Sequence, residues 1–447
     1  MVALSASRRV FGNASVLREN FLSAWSRTDE IFGIVKTQAM LSKPIALRHP
    51  FIFYVGHLPA FAWNQVCRGV LQWKPFNSHF DDLFSRGIDP DVDTGECHAH
   101  PELPQSWPDL IDVLDYRDRV RAAVLRSFDA VLGHASSNVL AEKGRVFSMV
   151  LEHEAMHQET LLYMIQEGPA SMKQRLRSAP HYRFVHEPTS APIVIPRGEA
   201  RLGARFDLLH FGWDNEFPEL RVQVPRFSLD SLPVTNGRYL EFVQSGGYAE
   251  PRWWSEEDWL WKASAGLNHP NVWRRVENRW LYRTLFDLLP LEQVSSWPVY
   301  VSLAEARAYA CWRGGRLPSE AEFHRAAYGS SGAQSAAANL DFAWWSPTPV
   351  NADAYDTNPW GIKNLIGNGW EWTETQFQPF PGFAPYITSY QEYSADFFDG
   401  KHFVLKGASW ATARELVRPS FRNWYQAHYP YVFAKFRCVS DSDGGAL

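Results

Sequence analysis

The stretch Glu152-His153-Glu154-Ala155-Met156-His157-Gln158-Glu159-Thr160 decides how this chain is read. It lies inside Asn138 to Gln166, where apolar residues recur at three- and four-residue spacing with few breakers, so the segment is predicted helical. Residues four apart share a helix face, which lets His153 and His157 bind one metal ion. Taken literally the string is HExxH, the zinc-peptidase signature, with Glu154 as general base. The usual third ligand is absent: Thr160 and Tyr163 stand where the extended motif has Gly and His, although Glu167 and Glu187 follow downstream. Two histidines on a solvated helix face are the plainer alternative. His57 shifts the balance. It sits in the apolar stretch Tyr54-Val55-Gly56-His57-Leu58-Pro59-Ala60, where a lone histidine is usually a satisfied core residue, but three histidines converge if the helical segments close into a bundle. Three neutral imidazoles would leave roughly three positions open on an octahedral iron.

Ser15 to Ser26, Ala60 to Gln72 and Trp107 to Leu132 carry the same helical periodicity. With the histidine segment they predict a four-helix bundle, whose interior suits a metal. A turn-rich insertion from Phe76 to Ser106, with Gly87, Pro90, Gly95, Pro101 and Pro104, is long enough to be a functional loop or a lid. Pro180, Pro188, Pro192 and Pro196 mark a linker. Beyond it the pattern turns to short strands, Gly/Pro/Asn turns and one clear helix, Ser302 to Trp312, with Ser302 as N-cap and Glu305 as its capping-box partner. The expected organisation is α+β: a helical bundle over 1–180 carrying the histidines, a linker over 181–198 and a second domain over 199–447.

Composition narrows the function classes. The chain has 447 residues, 45% hydrophobic and 21% charged, which excludes wholesale disorder and fibrous classes. Lys plus Arg total 44 against 49 for Asp plus Glu, so the basic excess of a nucleic-acid binder is missing. Cys67, Cys97, Cys311 and Cys438 are scattered and form no CxxC, against a disulfide scaffold or a cysteine-rich zinc module. The longest apolar stretch, Phe51 to Trp63, is too short to span a bilayer, and no signal-peptide core precedes it. A cytoplasmic protein without membrane or nucleic-acid partners is expected. The 20 Trp concentrate after residue 205, so the second half is built differently from the first.

The GH pair Gly56-His57, the HExxHxETL string and an aromatic second half together resemble the ergothioneine-type nonheme iron sulfoxide synthases (EgtB-like), over nearly the whole chain. Val234 to Tyr239, Arg316 to Glu322, Gly361 to Thr373 and Lys406 to Thr412 resemble the formylglycine-generating-enzyme fold, a C-type-lectin variant. Ser420 to Trp424 and Phe433 to Cys438 resemble the sulfoxide synthases within it. The resemblance implies a DinB-like bundle in which His57, His153 and His157 hold Fe(II). It also implies oxidative joining, with O2, of a sulfur or selenium donor to the imidazole carbon of hercynine, trimethylated histidine. Tyr390 would be the proton donor beside the iron, Tyr393 a hercynine contact, and Asn423 with Trp424 the holders of the hercynine carboxylate end. Formylglycine generation itself is not expected, because no cysteine lies between Cys311 and Cys438, and Thr412 and Ala413 stand near where one would be needed.

Departures from the family pattern bear on the donor. Members that use γ-glutamylcysteine carry an Asp directly after the Asn-Trp pair, an Arg four residues later and a Gln before the second ligand histidine. Here Tyr425, Tyr429 and Met156 occupy those positions. Two tyrosines suit a neutral donor, since rings stack on sugar faces and hydroxyls meet sugar hydroxyls. A selenosugar or thiosugar, as in selenoneine synthases, is therefore the expected donor. Cysteine or γ-glutamylcysteine is the alternative, with Arg86 or Arg422 as anchor for a cysteine. His98 and His100 with Asp91 and Asp93 offer a weaker second metal site. A zinc peptidase, or a lectin-like binding module that has lost its metal, are the readings outside this class.

Overall fold

The computed structural model describes residues 13–85, 87, 90–91, 96–97, 106–133, 138–176, 182–329, 338–352, 357–390 and 393–440, with backbone alone at 90–91 and 96–97. Arg86, His98, His100 and Asp93, and with them the second metal site and one donor anchor, lie outside the described residues.

The helical part comprises α1 (Ala14–Phe32), α2 (Phe51–Ala62), α3 (Ser78–Leu83), α4 (Leu110–Leu132) and α5 (Arg145–Glu167), with a short ribbon of β1 (Pro90–Asp91) and β2 (Glu96–Cys97) between α3 and α4. Helix α1 begins at Asn13, whose side chain accepts from the Ser15 amide at 2.8 Å. It buries Leu17, Phe21, Trp25, Thr28 and Ile31, a stripe at the helical repeat. Helix α4 buries Val113, Tyr116, Val120, Val124 and Val131 in the same way.

Two expected boundaries move. The segment read as a helix from Ala60 begins at Phe51 and continues past Ala62 as a π-helix, Trp63–Val70. Every residue of α2 is buried. An apolar run buried on all sides has no amphipathic period to announce it, and Pro59 within it reads as a breaker although the helix absorbs it. Helix α5 starts at Arg145 rather than Asn138, because Lys143 and Gly144 take φ of 57° and 69°, outside the helical region.

In the second half, β3 (Pro192–Ile195), β4 (Gly198–Leu202), β5 (Leu220–Val224) and β6 (Phe227–Asp230) precede β7 (Trp273–Val276), β8 (Arg279–Arg283) and β9 (Leu288–Pro290). The main sheet follows: β10 (Gly369–Gln376), β11 (His402–Ala408), β12 (Asn423–Gln426) and β13 (Ala434–Lys435), in the order β12-β11-β10-β13, with β10 and β13 parallel. The last strand, β14 (Val439–Ser440), returns to pair with β6, which in turn pairs with β3. Among the described residues four α-helices stand here where one clear helix was expected: α6 (Asn236–Gln244), α7 (Glu256–Ser264), α8 (Leu303–Trp312) and α9 (Glu320–Tyr328). Ser302 and Glu305 do form the capping box of α8. The other three have only nine residues each, too few turns to establish a period, although Ser319 and Glu322 form a second capping box.

Helix α5 is the element on which the two halves meet, and it is buried nearly all round. Arg418 donates from Nη1 and Nη2 to Glu152 at 2.7 and 2.9 Å and from Nε to Glu216 at 2.8 Å. Two turns on, Glu159 accepts from Trp370 Nε1 and Thr412 Oγ1, both at 2.9 Å. No described helix is long and apolar enough to cross a membrane.

Candidate metal centre

His57 projects from α2, and His153 and His157 project one turn apart from α5. Their ring centroids lie 5.1 Å (His57–His153), 4.8 Å (His57–His157) and 4.2 Å (His153–His157) apart. One ligand atom from each falls within 4.8 Å of the others, the one such group of His, Cys, Asp or Glu among the described residues. Local contacts fix the rings. His57 Nδ1 is 2.7 Å from the Phe84 carbonyl, and His157 Nδ1 is 2.9 Å from the His153 carbonyl, so both rings carry their proton on Nδ1. Phe61 stacks on His153 at 3.6 Å and 5°.

All three Nε2 atoms are buried with no hydrogen-bond partner. A buried polar nitrogen without a partner costs about 1–3 kcal/mol, and three facing one another need a common occupant. Burial lowers the His57 pKa to about 4, and burial plus mutual repulsion holds His153 and His157 well below the ordinary range. Three neutral imidazoles with bare Nε2 lone pairs fit a divalent d-block metal. Glu154, the base of the peptidase reading, is turned away: its carboxylate accepts from Thr28 of α1 at 2.5 Å. That contact commits the carboxylate to α1 and not to the three Nε2 atoms, so the HExxH chemistry does not assemble.

The second half supplies one wall. The Tyr390 ring lies 5.1 Å from Phe61 and 6.3 Å from His153. Its loop is clipped to the π-helix, where Gln65 accepts from the Ser389 hydroxyl. The Tyr393 ring packs on Trp213 at 3.9 Å and against Trp424 at 4.7 Å, and its hydroxyl donates to Met156 Sδ at 3.2 Å. Burial pushes the Tyr393 phenol up, keeping it protonated. Trp424 stacks on Phe377 at 4.4 Å, and Asn423 Oδ1 accepts the Trp424 amide at 3.0 Å. Tyr425 and Tyr429 stack on each other at 5.4 Å and 4°.

Arg422, the alternative donor anchor, is committed elsewhere: it is buried against Glu320 at 3.1 Å and the Gln378 carbonyl at 2.9 Å, between Phe377 and Phe380. The cation beside the tyrosine pair is Arg48, which sequence reasoning missed. Its Nε donates to Tyr429 at 2.8 Å and its Nη2 to Tyr163 at 2.6 Å. Nothing in Leu47-Arg48-His49 signals burial. Trp213 was missed as well, one tryptophan among many.

Comparison with known proteins follows the same division. The DinB superfamily model matches residues 20–161, and the model described as the sulfatase-modifying factor enzyme 1-like domain matches 183–442. Ergothioneine biosynthesis protein 1 of Neurospora crassa is 30% identical across 95% of this chain, but the match takes in only 57% of that protein, so this chain spans little more than half its length. The hercynine oxygenases of Mycolicibacterium smegmatis and Mycobacterium tuberculosis are 33% and 34% identical over 76% of this chain, and 79% and 84% of their own lengths.

Proposed function

Since this chain belongs to the sulfatase-modifying factor enzyme 1-like family, and within it to the ergothioneine-type sulfoxide synthases, we propose that it joins the sulfur of a small thiol to the imidazole carbon of hercynine in an Fe(II)- and O2-dependent oxidation. The observation that carries this reading is the triad of buried, neutral imidazoles with unpartnered Nε2 atoms. His57, His153 and His157 are the proposed iron ligands, in a bundle taken as 1–180, joined through 181–198 to a substrate-binding domain over 199–447. The named relatives favour a thiol, cysteine or γ-glutamylcysteine, over the selenosugar suggested by Tyr425 and Tyr429.

The balance is simple. Hercynine gives up its imidazole C–H and the thiol its S–H; the C–S bond and one S–O bond form, and the second oxygen atom of O2 leaves as water. Fe(II) bound by the triad would supply open coordination and a redox relay through which the electrons of hercynine and the thiol reach triplet oxygen. The protein's own groups do the rest. Hercynine's quaternary ammonium is received on the aromatic faces of Tyr393 and Trp424, and its carboxylate by the Asn423 amide and the Trp424 indole N–H. Tyr390 holds a proton at its phenol oxygen beside His153 and delivers it as oxygen is reduced. Met156, bonded to Tyr393, fixes the depth of that ring in the pocket. A reducing cytoplasm keeps both Fe(II) and the thiol in the state this chemistry needs.

The test is incubation of Fe(II)-loaded protein with hercynine and, together, cysteine, γ-glutamylcysteine and a selenosugar in air, with products identified by mass spectrometry. A hercynine–thiol sulfoxide is expected. A dominant selenium adduct would return the donor to the sugar reading, and no hercynine adduct would overturn the assignment.

A further inference from the structure

A helix leaves its last carbonyls without an intrahelical partner. The carbonyl of Phe84, the C-terminal cap of the short helix α3, is one of these, and it lies 2.7 Å from His57 Nδ1. Its place is set from both ends of α3. Asp81, fully buried, anchors the helix: Oδ1 accepts from the Tyr116 hydroxyl on α4 at 2.7 Å, and Oδ2 accepts from Trp63 Nε1 on the π-helix that continues α2, at 3.0 Å. Asn64 of the same π-helix donates to the Asp81 backbone carbonyl at 3.1 Å. At the cap, the Phe84 ring lies directly against Gly56, the residue before the histidine, where a Cβ would come within 2.5 Å of the ring. The ring has nowhere to retreat, since it is fully buried among Phe53, Phe80 and Tyr116, with centroids 6.2, 5.4 and 6.3 Å away. Phe53 in turn stacks on the His57 ring at 5.0 Å.

We infer that Asp81, Gly56 and Phe84 are positioning residues of the metal centre, which make α3 a strap that holds His57 with its proton on Nδ1 and its Nε2 lone pair on the triad. This deepens the proposed function and rests on its reading of His57 as an iron ligand. An imidazole without such an acceptor divides between two tautomers and turns about its Cβ–Cγ bond, so that only part of the population presents Nε2; the hydrogen bond from Nδ1 also makes Nε2 the more basic ligand. The two histidines with a printed acceptor differ in where it comes from. His157 takes the carbonyl of His153, on its own helix, and keeps it in any folded α5. His57 takes its acceptor from a separate element, so its orientation can be lost while the bundle stays folded. The strap gives the glycine of the Gly56-His57 pair a steric reason, and gives a buried carboxylate that the chemistry does not use a task.

The test uses Co(II) as the probe, in the full chain. Its affinity is read by competition with a chromophoric chelator, and proton NMR of the loaded protein shows the ring N–H protons of its histidine ligands far outside the ordinary range. Gly56→Ala should bind Co(II) roughly ten- to a hundredfold more weakly, and the His57 N–H signal, slow to exchange into D2O in the natural chain, should exchange fast. Gly56→Ala with Phe84→Ala, which removes the ring that the new methyl meets, should recover affinity. An unchanged affinity in Gly56→Ala would overturn the inference, and so would a weakened one in which the N–H still exchanges slowly, since that is a structural effect elsewhere. If Gly56→Ala does not fold, as judged by thermal melting, Asp81→Asn replaces it. The amide keeps the shape of the carboxylate but accepts through one atom only, leaving Tyr116 or Trp63 without its acceptor. It should weaken Co(II) by several-fold and speed the same exchange; no change in either overturns the inference. His57→Ala separates this from the parent reading. If the natural chain binds no Co(II), or His57→Ala binds it as tightly, the reading of His57 as a ligand falls; if His57→Ala loses the metal and Gly56→Ala does not weaken it, only the strap does.

Discussion

Replacing Arg418 by Leu tests whether the clasp between the two halves organises the substrate wall. The guanidinium is 13% exposed and bridges Glu152, 9% exposed, and Glu216, fully buried. Adding its charge-assisted bonds at about 1.5–3 kcal/mol each would overstate the loss, because removing Arg418 also removes the cost of burying it. The larger effect is the two carboxylates left without a cation in a site closed to water. Breaking a buried ion pair in this way costs about 3–5 kcal/mol, a large share of the roughly 5–15 kcal/mol that holds a folded protein together. Arg418→Lys keeps the charge but cannot reach both acids in a planar fork, so it should cost less, on the order of 1–3 kcal/mol. Urea unfolding followed by tryptophan fluorescence reads both. Function should follow, because Trp213 Nε1 donates to Glu152 at 2.9 Å and the Trp213 ring carries Tyr393. The KM for hercynine is expected to rise in both variants, more in Leu than in Lys. A Leu variant within about 1 kcal/mol of the natural chain, with hercynine KM unchanged, would refute the reasoning.

Three further outcomes are expected. His57→Ala, His153→Ala and His157→Ala should each lose iron on desalting, measured by metal analysis, since two histidines hold Fe(II) weakly; a variant that retains iron at one per chain removes its residue from the ligand set. Tyr390→Phe should keep hercynine and thiol binding but divert product toward simple thiol oxidation, read by mass spectrometry, and an unchanged product profile would dismiss the proton-donor role. Burial lowers the Lys435 pKa to about 8 from its ordinary 10.5, beside Glu371 and Arg437. The unfolded chain therefore binds more protons between about pH 8 and 10.5, so this group's contribution to stability rises with pH across that window. Lys435→Met should flatten that rise in urea midpoints, and an identical pH slope in both proteins would contradict the burial argument.

The histidine string and the helical periodicity were legible because both are local: ligand spacing and amphipathic stripes are written within single segments. Helix α2 was not, since it is buried all round and shows no polar face against which to read a period. The nine-residue helices of the second half failed for want of length, although Ser255, Ser319 and Glu322 carried their caps in plain view. Within the site, the approach of Tyr390 and Tyr393 to the triad follows from motif resemblance. Arg48 and Trp213 do not, because their significance lies in partners more than a hundred residues away for Tyr163 and Tyr429, and some sixty for Glu152. Reading Tyr425 and Tyr429 as a neutral corner was the natural inference from two side chains alone. The guanidinium that bonds Tyr429 comes from another element, at Arg48.

The central claim is that three neutral histidines on α2 and α5 hold an iron that spends O2 on joining hercynine to a thiol. Turnover of Fe(II)-loaded protein with hercynine and cysteine under oxygen-18 gas tests it in one mass spectrum. A hercynine–cysteine adduct carrying a single heavy oxygen on sulfur, and lost in His153→Ala, is the predicted result. An adduct without heavy oxygen, or one formed equally well by His153→Ala, would contradict it.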